Sequence, residues 1–125
     1  MKKLLFILAT CLISTPALAR PATTAVGPYS VETRVSELGS TLSVDGKISG
    51  GTACESMLIN VQMAETKSGQ TAAANANLAR YRGNRDRFSA DASIQRTTGL
   101  TEWFISDIVI QCINKGVATR YTANP

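Results

Sequence analysis

The chain has 125 residues, 13 basic and 9 acidic, of which 44% are hydrophobic, and it contains no histidine. That length makes one domain with a real but modest core. The missing histidine removes the usual general base, Ser–His and Cys–His nucleophile pairs, and histidine-based metal sites.

Residues 1–19 read as a signal peptide. Lys2 and Lys3 form a positive start, "LLFILATCLIS" is an apolar run too short to span a bilayer, and Ala17-Leu18-Ala19 is a small-x-small cleavage pattern. "Leu8-Ala9-Thr10-Cys11" offers a rival reading as a lipoprotein box with Cys11 acylated. Cleavage after Ala19 leaves 106 of the 125 residues and lowers the formal charge from +4 to about +2, since Lys2 and Lys3 leave with the signal. The working protein is then only slightly basic, which argues against nucleic acid as a partner. No transmembrane segment is expected in the mature chain. The expected location is the periplasm or the extracellular medium.

Residues 20–28, "RPATTAVGP", read as a flexible leader, with a single domain over 29–125. From Tyr29 the pattern has period two. Tyr29, Val31, Thr33 and Val35 alternate with polar residues, and Leu42, Val44, Gly46 and Ile48 repeat the pattern after an "ELGS" turn. In "ESMLINVQMAE" (55–65), Met57, Ile59, Val61 and Met63 share one face, and Leu58 breaks the polar side. "QTAAANANLA" (70–79) suits a helical stripe by its alanines, yet it is short, uncapped and tied to strands on both sides. An extended edge strand is the preferred reading. Phe88, Ala90, Ala92 and Ile94 alternate again, and "RTTG" is a turn. "EWFISDIVIQCI" (102–113) is the most β-prone run and reads as a central strand, with a short edge strand over Val117–Tyr121. Six or seven short strands with regular turns and no long helix predict an all-β, antiparallel immunoglobulin-like or fibronectin-like sandwich.

Removal of the signal leaves two cysteines, Cys54 and Cys112, and an exported chain is expected to pair them. No CxxC spacing or second ligand cluster points to a redox or metal role.

"TLSVDGKISGG" followed by "LINVQMAETKSGQ" resembles the FxLYD-type immunoglobulin-like module of bacterial envelope proteins over roughly residues 40–95. The shared features are a V-x-G-x-I strand, a short gap, an alternating strand ending in an acid, and a later F-x-A strand at Phe88 and Ala90. Val61, Met63, Ala64 and Glu65 occupy the motif positions, so each eponymous residue is replaced. The resemblance implies a fibronectin-like or immunoglobulin-like sandwich with no catalytic residues.

The remaining chemistry rests on carboxylates and arginines. A glycosidase pair would need two carboxylates roughly 5–10 Å apart in a cleft, and the sequence nominates none. Asp107 interrupts an apolar run and is expected to pair with an arginine on a sheet face or edge. No phosphate loop, nucleotide fingerprint or calcium loop is present, and no cofactor is expected. The densest signal is "RYRGNRDRF", with Arg80, Arg82, Arg85 and Arg87. Gly83-Asn84 marks a turn. If it closes a hairpin, the four guanidiniums project together, opposite Tyr81 and Phe88. Arginine forks suit carboxylates and phosphates. The expected function is an exported, non-catalytic sandwich that binds or scaffolds another envelope protein, with these four arginines as the partner-binding residues. The alternative is a small secreted inhibitor or anionic-ligand binder using residues 80–87, with anionic glycan or lipopolysaccharide as target. A bland reading also stands, in which the arginines only keep a turn soluble.

Overall fold

A computed structural model describes residues 22–95 and 102–125. The proposed signal peptide, its cleavage point and the "RTTG" turn lie outside the described residues. Eight strands follow in chain order: β1 (Ala22–Val26), β2 (Tyr29–Leu38), β3 (Thr41–Ser49), β4 (Ser56–Glu65), β5 (Thr71–Leu78), β6 (Arg85–Ser93), β7 (Trp103–Asn114) and β8 (Val117–Ala123). They form two four-stranded antiparallel sheets, ordered β1-β2-β3-β6 and β5-β4-β7-β8. This is the expected all-β antiparallel sandwich, with eight strands where six or seven were expected. No helix among the described residues is long and apolar enough to cross a membrane.

Alternation decides which face of each strand is buried. Val31, Val35, Leu42, Val44 and Ile48 of the first sheet meet Met57, Ile59, Val61, Met63, Ile108 and Ile110 of the second. Along each strand these side chains are two or four residues apart, the even spacing that keeps them on one face of the pleat. Leu58 lies on the opposite face and is exposed, so β4 is buried on one side only. β7 is central, between β4 and β8, as its apolar density predicts. Its register shifts at Gln62/Met63, where Asp107 and Ile105 face successive β4 residues.

Three expectations are corrected. Ala22–Val26, read as leader, form β1 and pair with β2 from Ala22↔Thr33 to Val26↔Tyr29. Val26 is fully buried, so the apolar end of a Thr/Ala-rich segment anchors it. Asp107 accepts a hydrogen bond from the Asn124 side chain instead of meeting an arginine. Finally, Gly83-Asn84 does not close a hairpin. β5 belongs to one sheet and β6 to the other, so residues 79–84 arch between sheets.

The Cys54–Cys112 disulfide is formed, with Cα atoms 5.3 Å apart and 58 residues of separation. It ties the segment before β4 to β7. Closing a loop of that length removes about 4 kcal/mol of chain entropy from the unfolded state.

Candidate functional site

The arginine arch is held from several directions. The Tyr81 and Cys54 backbones exchange hydrogen bonds of 2.8 and 2.9 Å. The Tyr81 hydroxyl donates to the Gly50 carbonyl at 2.6 Å, and the Gly50 N–H donates to the Asn84 carbonyl at 3.2 Å. Gly83 turns the chain with φ 90°, and a Cβ there would press on the Gly51 carbonyl oxygen at 3.3 Å. The disulfide fastens Cys54 in turn to β7. Tyr81 itself is buried and packs edge-on against Tyr29, with centroids 5.8 Å apart. Burial raises the Tyr81 hydroxyl pKa above its ordinary value, and the Asp86 carboxylate adds to the effect. Tyr29 is raised for the same first reason, burial, helped by its tyrosine neighbours.

Tyr81 therefore points inward and its neighbours Arg80 and Arg82 are exposed. Arg85 and Arg87 lie further on, along the outer face of β6, with Phe88 on the inner face as a core residue. The structure brings the backbones of the four arginines to one margin of the sandwich, where edge strand β5 of one sheet faces edge strand β6 of the other, while the side chains of Arg85 and Arg87 line hollows on the outer face of the first sheet. It does not place them on one hairpin face. Arg80 and Arg82 prolong the margin of the second sheet, and Arg85 and Arg87 belong to the first. No hydrogen bond or ion pair among the described residues engages their guanidinium groups. Asp86, the nearest acid in sequence, instead accepts the Arg87 backbone N–H at 2.9 Å.

The outer face of the first sheet carries a charged trough that sequence reading missed. Register places Glu32 opposite Lys47, Lys47 opposite Arg87, and Arg34 opposite Asp45. With Ser89 these residues line a depression of about 580 Å³. A smaller hollow of about 150 Å³ adjoins it, lined by Thr23, Ser30, Glu32, Lys47, Ser49 and Arg85. Serines hold the acids in place: Ser89 Oγ donates to Asp45 Oδ1 at 3.1 Å, and Ser43 Oγ to Asp91 Oδ1 at 2.7 Å. Lys47 and Arg87 stand directly across from each other, an arrangement that costs stability. Only the strand pairing reveals it, because 40 positions separate the two residues in the chain.

The carboxylates do not assemble into an acid–base pair. Glu65, nearly fully buried, closes the β4–β5 turn by accepting the Ser68 hydroxyl, the Ser68 N–H at 2.8 Å and the Lys67 N–H at 3.3 Å. These bonds, led by the Ser68 hydroxyl, hold its pKa below the ordinary carboxylate value. No group of three or more metal-binding side chains converges among the described residues. No family model, curated protein or solved structure matches the chain.

Proposed function

We propose that this protein is an exported, non-catalytic binding module that engages another envelope protein through acidic groups on that partner. The observation that carries the reading is the arginine margin. Four arginines stand on a pinned arch and the adjoining strand, and no hydrogen bond or ion pair among the described residues engages their guanidinium groups. A surface already held in place pays little ordering cost on binding. The Lys47–Arg87 juxtaposition supports the same reading, since a partner's carboxylate between them would relieve the repulsion. The disulfide fits export to an oxidising compartment, and the N-terminal sequence supports a cleaved signal. The likeness to an envelope immunoglobulin-like module supports a role in packing and assembly, not catalysis.

The test replaces Arg80, Arg82, Arg85 and Arg87 with Ser together. Mild crosslinking in the native envelope is expected to capture a partner with the natural chain and lose it with the variant, while the two unfold at the same temperature. Capture should also weaken as salt rises. Finding the natural protein only as a free monomer overturns the proposal, and so does capture that survives removal of all four arginines.

A further inference from the structure

Each sheet has two edges, and three of the four are defended. β1 is five residues long. β6 carries Arg85, Asp86, Arg87 and Asp91. β8 carries Arg120 at its middle. Short length and edge charges are the usual devices that stop a foreign strand from pairing. β5, Thr71–Leu78, has none of them: it is eight residues long, with no charge, proline or glycine, and its register with β4 runs without a bulge.

The open groups on β5 follow from the ladder. The Glu65 N–H bonds the Gln70 carbonyl at 2.8 Å, so residues 65 and 70 form a hydrogen-bonded pair. In an antiparallel ladder such pairs alternate with non-bonded ones. Ala72, Ala74, Ala76 and Leu78 thus turn their backbone groups to β4, and Thr71, Ala73, Asn75 and Asn77 turn theirs to the open edge. An amide row leads to the same edge. Gln62 Nε2 donates to Asn60 Oδ1 at 3.3 Å, and Asn60 Nδ2 donates to Asn75 Oδ1 at 2.7 Å. The amide N–H groups of Asn75 have no partner among the described residues.

We infer that β5 is a docking edge that takes an extended, acid-ended segment of a partner protein as an added ninth strand, with Arg80 and Arg82 gripping the acidic end. Charge selects this occupant over a second copy of the chain. Both ends of β5 are cationic, with Lys67 in the preceding turn and Arg80 and Arg82 just beyond. Antiparallel self-pairing would set Lys67 of each copy against the arginines of the other. An added strand in this all-antiparallel sheet runs against β5, so its N-terminal end meets the arginines and its acids belong there. The inference rests on the proposed binding function and names the mode of contact.

The test uses the full chain and a synthetic peptide of alternating Thr and Val with a Glu pair at its N-terminus. Peptide binding is expected to shift the amide resonances of Thr71, Ala73, Asn75 and Asn77. Moving the Glu pair to the C-terminus should weaken binding about fivefold, and Arg80→Ser with Arg82→Ser should erase that preference. N-methylating the peptide at the alternate residues that face β5 should weaken binding about tenfold, while methylating the other alternate set leaves it unchanged. That contrast leaves the protein untouched, so no folding defect enters. Ala73→Pro, at an N–H that faces solvent, gives the matching block from the protein side. Equal binding by both methylated series overturns the inference. So do resonance shifts confined to the β6 face, or a dimer of the chain that Ala73→Pro dissolves. If the four-serine variant loses envelope capture and Ala73→Pro does not, strand addition is wrong and the binding function stands.

Discussion

Gly46 lies in the middle of β3, on its inner face, directly opposite Phe88 of β6. Its φ is not positive, so the backbone does not require glycine here. Space does: a Cβ built at Gly46 would lie closer than 3.0 Å to Phe88 Cζ, Cε1 and Cε2. The ring covers the glycine, fills the site and anchors the strand whose outer face presents Arg85 and Arg87. Gly46→Ala must push the ring off its seat. Over-packing of this kind costs about 1–3 kcal/mol, and the entropy that alanine saves over glycine in a strand returns roughly 0.5–1 kcal/mol. Taken at the middle of both ranges, the net expectation is a loss of about 1 kcal/mol, read as a lower midpoint in urea with an unchanged slope. Phe88→Ala alone should cost more, about 3 kcal/mol, because it opens a cavity. Combined, the added methyl enters the space the ring vacates, so the double variant should be more stable than the sum of the two losses by about 1 kcal/mol or more. A neutral Gly46→Ala refutes this packing argument, and strict additivity of the two changes refutes it equally.

Replacing Cys54 and Cys112 together with Ser should lower stability by about 4 kcal/mol in urea unfolding, and an unchanged midpoint would show the crosslink to be idle. Glu65 has a depressed folded pKa, so its contribution is complete above the unfolded value near 4.5 and disappears as pH falls through the lower folded value. Melting temperature followed across acidic pH should therefore drop more steeply in the natural chain than in Glu65→Gln, and parallel curves would contradict the assignment. Tyr81 is raised, so its contribution is complete below about pH 10 and fades as pH rises through the folded value. Tyr81→Phe should cost about 1 kcal/mol by leaving the Gly50 carbonyl without its donor. It should also speed hydrogen exchange at Arg82–Asn84, and unchanged exchange there would mean that the arch is pinned by its other contacts alone.

Much of this fold is written locally. Period-two burial in β2, β3 and β4 follows from residues such as Val31, Leu42 and Met57, which have only one face to hide. The density of Ile and Val in β7 announces a strand flanked on both sides. The disulfide is legible from the two cysteines that remain once residues 1–19 are read as a signal. β1 was hidden because Thr and Ala are common in both edge strands and linkers, and only pairing with β2 distinguishes them. β5 was ambiguous because alanine favours helix in isolation, and the ladder with β4 overrides that preference. Gly83-Asn84 signalled a turn, but a turn signal does not say whether the next strand joins the same sheet. That one fact redistributed the arginines from a single hairpin face to the margins of two sheets. The Lys47–Arg87 opposition and the undefended edge of β5 were out of reach for the same reason. Both are properties of strand order, which long-range packing decides.

The proposed binding site is the margin formed by β5, the arch and the start of β6. The most direct measurement puts a photo-crosslinking side chain at single positions in the full protein in its native envelope. Positions Asn75 and Arg82 sample the margin, and Thr122 samples the outer face of β8 on the far side. Adducts with a partner protein from Asn75 and Arg82, and none from Thr122, are the predicted result. Adducts from Thr122 alone, or equally from all three positions, would contradict the account.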